Sequence, residues 1–403
     1  MFARLFDGIE TEGVWAAISN GLIFSARGAF IPYFFVFFQQ MSSLSYTETT
    51  ILLNSFVLSQ SVISPLVGGL VEKVKSTLWP AILFALYISA FLIIVESRSG
   101  FFLSLALVIL GAAFSTSRLV FNRRIIATAG RKGMRRTISL RAGLMTGGSF
   151  CGNAAGAFIL VQFGPYPFIS YVFLLFFISV CIFLITFSKP ENFIKEKCTN
   201  KKIHLRSILI TDFHKELIDL VPPFLLYGCW GTLLPKYIID SLHNLSAIPA
   251  MYAATTTAIV TLTWFFNTSV FDYLRARNIK DSVYPMLSTL FFSAGSLAIA
   301  FSVHIWSVII GGVIFVIGEI IITPHLDEIS RRHGRAQTGL FIGITQAVDG
   351  AVRFIGLLTG SIIYGVLNDT GARLLTVPII VGIALSVLAV NRFVVKPALG
   401  KKR

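Results

Sequence analysis

Long apolar runs recur along the whole chain, and a short polar or basic segment separates each run from the next. Most of the runs have the ~20 residues that one helix needs to cross a bilayer. Twelve can be marked, at residues 14–38, 49–71, 77–96, 101–121, 138–163, 166–187, 217–239, 249–270, 283–302, 305–324, 337–366 and 373–394. The pattern predicts an all-helical membrane protein with twelve transmembrane helices.

The longest polar stretch, residues 188–216, falls between the sixth and the seventh run. We expect it to be a cytoplasmic linker between an N-terminal six-helix bundle, residues 1–187, and a C-terminal six-helix bundle, residues 217–403. The halves also show weak internal similarity, including a short basic loop after the second run of each. Repeated halves are typical of secondary transporters, in which the two halves meet around a central site.

The composition supports a membrane protein, because only 13% of the residues are charged, against about 25% in soluble domains. In a soluble protein the net charge of +15 would suggest a nucleic-acid partner. Most of the 34 Lys and Arg residues, however, lie on one side of the predicted spans, and Arg124 is assigned to an inner loop there. The exceptions are Arg98, Lys236 and Arg373 on the other side and Arg27, Arg118, Arg141 and Arg353 within spans.

Because Lys and Arg accumulate on the cytoplasmic side of membrane proteins, this distribution places both termini in the cytoplasm. It predicts a multi-pass protein of the inner or plasma membrane, with basic loops facing anionic lipid headgroups. The basic charge is then explained without a nucleic-acid partner. We expect the chain to be a monomer.

Charged residues at membrane depth are costly and usually face a protein interior or a water-filled cavity. Glu319, in the tenth run, is a candidate for proton coupling, because a carboxylate held away from water can exchange protons near neutral pH. The alternative is that Glu319 caps a helix or forms an ion pair near the inner end of its span. Asp349 and Arg353 share one helical face four residues apart. They form either a structural pair or part of a gate that breaks and reforms. Arg27 can bind an anionic substrate or hold a carboxylate.

Other features of the spans are less specific. Gly356 and Gly360 belong to a row of small residues that lets another helix backbone come close. Some polar and aromatic side chains could line a cavity or hydrogen-bond between helices, namely Asn54, Gln60, Asn153, Tyr227 and Trp230.

Motifs for chemistry on a substrate are missing from the sequence. It contains no HExxH, GxSxG, Walker lysine loop or CxxC pattern, and its four cysteines have neither metal-ligand nor disulfide spacing. The sequence therefore predicts no enzymatic activity, no catalytic residues, no cofactor and no metal site. It also argues against ATP-driven transport by this chain alone.

The segment FVLSQSVISPLVGGLVEKVKS, residues 56–76, resembles the second span and following loop of proton-coupled multidrug exporters in the major facilitator superfamily. The loop signature of those exporters is G-x-L-a-D-r-x-G-r-k. Gly68 and Leu70 match it, Glu72 replaces the Asp, and Lys73 matches the basic position. In the family this loop latches the inner side of the two halves, so the resemblance implies an inner-gate loop that includes Gly68, Glu72 and Lys73.

The fifth run is similar to the exporter signature g-x-x-x-G-P-x-x-G, with Gly148, Gly152 and Gly156 at the glycine positions and Asn153 in place of Pro. The resemblance to bacterial twelve-span drug and metabolite exporters covers essentially the whole chain. Two departures weaken the resemblance to polyspecific exporters of cationic drugs. The family's fourth-span arginine is missing, and Arg27 stands where some exporters carry a first-span acid.

The resemblance implies a secondary active transporter that works by alternating access. We expect proton-coupled export of a small organic compound, either drug-like or an anionic metabolite, with protons and the substrate as its partners. One alternative is a proton-linked importer of a metabolite, sugar or siderophore. Another is a membrane receptor or scaffold that has the same fold and does not transport.

Overall fold

The computed structural model describes residues 11–42, 44, 46–71, 76–128, 134–186, 213–229, 281–301, 304–333, 338–369 and 375–395. All regular secondary structure in these ranges is helical. Eight of the described helices are long and apolar enough to cross a membrane. They confirm an all-helical membrane protein. The count of twelve spans stays a prediction. The helices at the runs 14–38 and 138–163 are not among these eight, and residues 230–239 and 249–270 lie outside the described residues.

The chain forms two compact units. The first unit comprises Met1–Lys197 together with Gln337–Ala347, and the second comprises Cys198–Ala336 together with Val348–Arg403. Most of the expected linker, residues 188–216, lies outside the described residues. The expected limits of the two bundles therefore stay a prediction.

Seven helices make up most of the first unit. They are α1 (Thr11–Phe30), α2 (Phe34–Ser42), α3 (Tyr46–Val71), α4 (Trp79–Glu96), α5 (Gly100–Thr128), α6 (Met134–Phe163) and α7 (Pro165–Ile185). Pro80 and Pro165 lie in the first turns of α4 and α7, where a missing backbone N–H costs no helical hydrogen bond.

The glycines of the fifth run bring α6 against α1. A Cβ atom added to Gly148 would lie 2.1 Å from the carbonyl oxygen of Gly21, and one added to Gly152 would lie 1.8 Å from that of Ser25. A Cβ on Gly156 would lie 3.0 Å from Ala29. Only glycine permits so close an approach of two backbones, so these three positions account for the tightest helix packing of the first unit.

A buried arginine joins three helices of the first unit. Arg124 of α5 is 3% exposed and donates a 2.8 Å hydrogen bond to Oε2 of Glu12 in α1. It also donates to the backbone oxygen of Thr186, directly after α7. Arg124, expected in the inner segment after the fourth span, lies instead within α5, which continues to Thr128 and carries this side chain into the interior.

The described helices of the second unit are α8 (Phe213–Asp219), α9 (residues 221–229), α10 (Val283–Ala300), α11 (Ile305–His333), α12 (Thr338–Asp369) and α13 (Thr376–Val390). The part of α12 before Val348 belongs to the first unit. Helices α10 and α11 also meet through glycines. A Cβ on Gly295 would lie 2.6 Å from the backbone oxygen of Gly311. Asn391, after α13, donates a 2.8 Å hydrogen bond to the backbone oxygen of Ile218.

Candidate functional site

The candidate site lies in the second unit, where α9 and α12 approach closely. A Cβ on Gly228 would lie 2.3 Å from the backbone oxygen of Arg353, and one on Gly356 would lie 2.3 Å from that of Leu225. The Cys229 thiol donates a 2.8 Å hydrogen bond to the backbone oxygen of Gly356. Because both helices carry glycine at the contact, the side chains beside it are held at short range.

Arg353 and Asp349 form an ion pair along one face of α12. The Nε–H of Arg353 donates a hydrogen bond to Oδ1 of Asp349. The side chain of Asp349 is 5% exposed and that of Arg353 is 19% exposed. The pair predicted from the four-residue spacing is therefore formed, with the Asp349 side chain more deeply buried than that of Arg353.

Tyr227 of α9 connects this ion pair with Glu319 of α11. The central carbon of the Arg353 guanidinium lies 4.0 Å from the centroid of the Tyr227 ring. The hydroxyl of the same tyrosine donates a 3.1 Å hydrogen bond to Oε1 of Glu319. One aromatic side chain thus contacts a buried cation through its ring and a carboxylate through its hydroxyl.

Aromatic side chains surround this cluster. The Tyr227 ring centroid lies 5.8 Å from that of Phe292 in α10 and 6.1 Å from that of Phe315 in α11. Phe224 lies on the Arg353 side, with its ring centroid 5.4 Å from the guanidinium carbon. In such apolar surroundings charges interact more strongly than they do in water, and both Asp349 and Glu319 act electrostatically on Arg353.

Asp349, Arg353, Tyr227 and Glu319 form what we call the charged cluster. Arg353 remains protonated in proteins. Glu319 is half-buried and accepts the hydrogen bond from Tyr227. Within the described ranges, no cluster of three or more His, Cys, Asp or Glu side chains is arranged to hold a metal ion.

Arg27, the fourth predicted site residue, belongs to the first unit. It lies on α1 and is half-buried. Its guanidinium carbon lies 5.0 Å from the ring centroid of Phe114 in α5 and 5.9 Å from that of Phe24. The two rings themselves meet edge to face at 5.7 Å. Arg27 is therefore held against aromatic faces, a contact that stabilises a partly desolvated cation.

The other predicted positions have different surroundings. Gly68 is buried in α3 and Gly360 is buried in α12. Glu72 and Lys73 of the expected inner-gate loop lie outside the described residues, so their role stays a prediction. The sequence suggested Tyr227 only as a possible cavity residue. Its position between Arg353 and Glu319 has no local signal, since Tyr227 and Glu319 are 92 residues apart along the chain.

Comparisons with known proteins agree with this architecture. The family model described as Major Facilitator Superfamily matches residues 16–357. No curated protein sequence matches the chain significantly.

Three solved structures are similar over nearly the whole chain. An auto-inhibited POT family peptide transporter has a TM-score of 0.72 at 12% identity and covers 98% of this chain and 97% of its own. The human organic anion transporter MFSD10 (TETRAN) has a TM-score of 0.67 at 13% identity, with coverage of 95% and 100%. A mutant of the nucleoside transporter NupG has a TM-score of 0.70 at 11% identity, with coverage of 95% and 99%. At such low identity these similarities show the fold alone.

Proposed function

Because this chain belongs to the Major Facilitator Superfamily and is a secondary transporter, we propose that it moves a small organic compound across the membrane in a proton-coupled cycle. Glu319 is the group that takes up and releases the proton. The observation that carries this proposal is the contact of Tyr227 with both Glu319 and the Arg353–Asp349 pair.

Protonation of Glu319 changes the charge of the cluster. With both carboxylates ionised, Asp349, Arg353 and Glu319 together carry one net negative charge, and a proton on Glu319 makes them neutral. The Tyr227 hydroxyl then faces a neutral acid, and Arg353 keeps Asp349 as its single carboxylate partner. Two arrangements of similar energy are what an alternating-access cycle requires.

Two directions of transport are compatible with this cycle. Export of a drug-like compound or an anionic metabolite in exchange for protons is supported by the resemblance of Gly148, Gly152 and Gly156 to an exporter signature. Packing of α6 on α1 explains the same glycines equally well. Import of a metabolite together with protons is the second candidate. The cations Arg27 and Arg353 suit an anionic compound in either direction.

Reconstituted vesicles with an imposed proton gradient test the proposal. We expect at least one compound from a radiolabelled panel of organic acids, organic cations and sugars to accumulate or deplete with proton movement, and protein-free vesicles to show neither. If no compound moves and no proton movement follows any addition, the chain does not transport under these conditions. That outcome would favour the receptor or scaffold alternative.

A further inference from the structure

We propose that the transported compound carries an oxyanion, a carboxylate or a sulfonate- or phosphate-like group, that binds the terminal nitrogens of Arg353 together with a proton on Glu319. This inference rests on the proposed function and deepens it in two respects. It assigns a binding group within the charged cluster. It also fixes the sign of the coupling between the proton and the compound.

The terminal edge of Arg353 has the donors that an oxyanion needs. Asp349 accepts from Nε, and neither terminal nitrogen makes a hydrogen bond to any residue that the structure describes. A guanidinium presents five N–H donors in a fixed fork, and two of them can hold a carboxylate or phosphate in a bidentate manner. Because 19% of the Arg353 side chain remains exposed, a ligand can reach part of this side chain.

The surroundings of Arg353 hold the guanidinium in place before a ligand arrives. Its carbon lies 4.0 Å from the Tyr227 ring centroid and 5.4 Å from that of Phe224. Its own backbone is fixed by the close contact with Gly228. A binding group fixed in this way loses little conformational freedom on binding, which favours affinity.

The charge of the cluster determines how proton and anion influence one another. With Glu319 ionised, an arriving oxyanion meets one net negative charge. With Glu319 protonated, it meets a neutral cluster whose only cation presents open donors. Like charges in apolar surroundings repel strongly, so the protonated form binds the anion more tightly. By reciprocity the bound anion favours protonation to the same extent.

The described parts of the neighbouring helices place few further charges beside the cluster. Helix α10 contains no Asp, Glu, Lys, Arg or His at all. On α11, His325 lies beyond the cluster and stacks on Tyr284, with ring centroids 5.2 Å apart. The further charges of α11 follow His325 in the sequence, at its C-terminal end. On the described part of α9, Tyr227 is the only titratable side chain besides the buried Cys229.

The consequence is that proton and anion travel together. A carrier that binds both in one state and releases both in the other is a symporter, and an inwardly directed proton gradient drives uptake of the anion. An exchanger would require the opposite coupling, in which protonation of the carrier weakens its binding of the compound. The charged cluster thus favours import over export.

Ligand-induced thermal stabilisation of the full-length protein in detergent tests this inference. Two matched pairs serve as probes, namely benzoate with benzamide and benzenesulfonate with benzenesulfonamide. The sulfonate does not titrate near neutral pH, so its pH dependence reports the protein. We expect at least one anion to bind more tightly than its neutral partner, and its apparent affinity to rise by up to about tenfold for each pH unit of acidification.

Three variants assign the effect to residues. R353Q is expected to abolish preferential anion binding, whereas R392Q, which removes an exposed cation near the end of the same unit, is expected to retain it. E319Q is expected to bind the anion at neutral pH about 5–150-fold more tightly than the unmodified protein, with no pH dependence. Three results would overturn the inference. Neither anion binds more tightly than its neutral partner, R353Q keeps the full preference for the anion, or the affinity for the anion falls as the pH is lowered. Because this assay measures binding and the vesicle assay measures transport, either proposal can fail without the other.

Discussion

The hydroxyl of Tyr227 donates a 3.1 Å hydrogen bond to Oε1 of Glu319, and the face of the same ring lies 4.0 Å from the guanidinium carbon of Arg353. A change of charge at Glu319 therefore acts on the Tyr227 side chain, which also contacts Arg353 of the Arg353–Asp349 pair. This contact joins the predicted proton site and the predicted ion pair into one cluster.

Replacing Tyr227 by Phe removes the donor to Glu319 and keeps the ring beneath Arg353. The ionised carboxylate loses a hydrogen bond worth roughly 1.5–3 kcal/mol, so the protonated form is favoured. We expect the pH of half-maximal proton-coupled transport to rise by about one unit or more, measured in vesicles over a range of pH. Tyr166→Phe, at the exposed first turn of α7, is the matched control. An unchanged pH profile in Y227F would show that this hydrogen bond has no role in coupling.

The ion pair of α12 predicts a characteristic pattern of stability. Asp349→Asn leaves the Arg353 cation without its carboxylate partner, and breaking a buried pair from one side costs about 3–5 kcal/mol. The double variant D349N/R353Q removes both charges and is expected to regain part of that loss. Thermal unfolding in detergent measures both effects. Additive destabilisation in the double variant would contradict a direct interaction.

The close contact of α9 with α12 predicts opposite effects for two glycines of one helix. Gly356→Ala places a methyl group 2.3 Å from the backbone oxygen of Leu225, and overpacking of this kind costs about 1–3 kcal/mol. Gly365→Ala meets nothing within 4 Å and gains up to about 1 kcal/mol of helix propensity. Thermal unfolding compares the two variants. Equal unfolding temperatures would mean that α9 and α12 are further apart than described.

The buried arginine of the first unit gives a prediction independent of transport. Replacing Glu12 by Ala leaves Arg124, which is 3% exposed, without its carboxylate, and a loss of about 3 kcal/mol or more is expected. Glu12→Gln retains an acceptor oxygen and is expected to lose less. Thermal unfolding of the two variants provides the comparison. Full stability of E12A would show that other contacts hold Arg124.

Hydrophobic periodicity predicted the all-helical membrane fold, because a bilayer imposes long apolar helices that a sequence shows directly. The orientation inferred from the bias of Lys and Arg stays a prediction. The Asp349–Arg353 pair was also predictable, since a separation of four residues on a helix fixes the contact. The glycine rows likewise predicted close helix packing, which is observed at Gly152 and Gly356.

Contacts between distant segments were not predictable. Tyr227 and Glu319 are 92 residues apart, and neither carries a local pattern that indicates the other. The burial of Arg124 escaped prediction because the basic residues around it are typical of a loop, whereas α5 continues past them to Thr128. Tertiary packing determines both features, and a single sequence contains no direct record of it.

The proton-carrying role of Glu319 is tested most directly by comparing the unmodified protein with E319Q in vesicles that contain a pH-sensitive dye. For a compound moved by the unmodified protein, we expect proton movement to accompany the compound and an imposed proton gradient to drive its accumulation. The E319Q variant is expected to exchange labelled for unlabelled compound across the membrane, with neither proton movement nor gradient-driven accumulation. E96Q, altered at an exposed acid at the end of α4, is expected to behave like the unmodified protein. Proton-driven accumulation of unchanged rate and extent in E319Q would contradict the account.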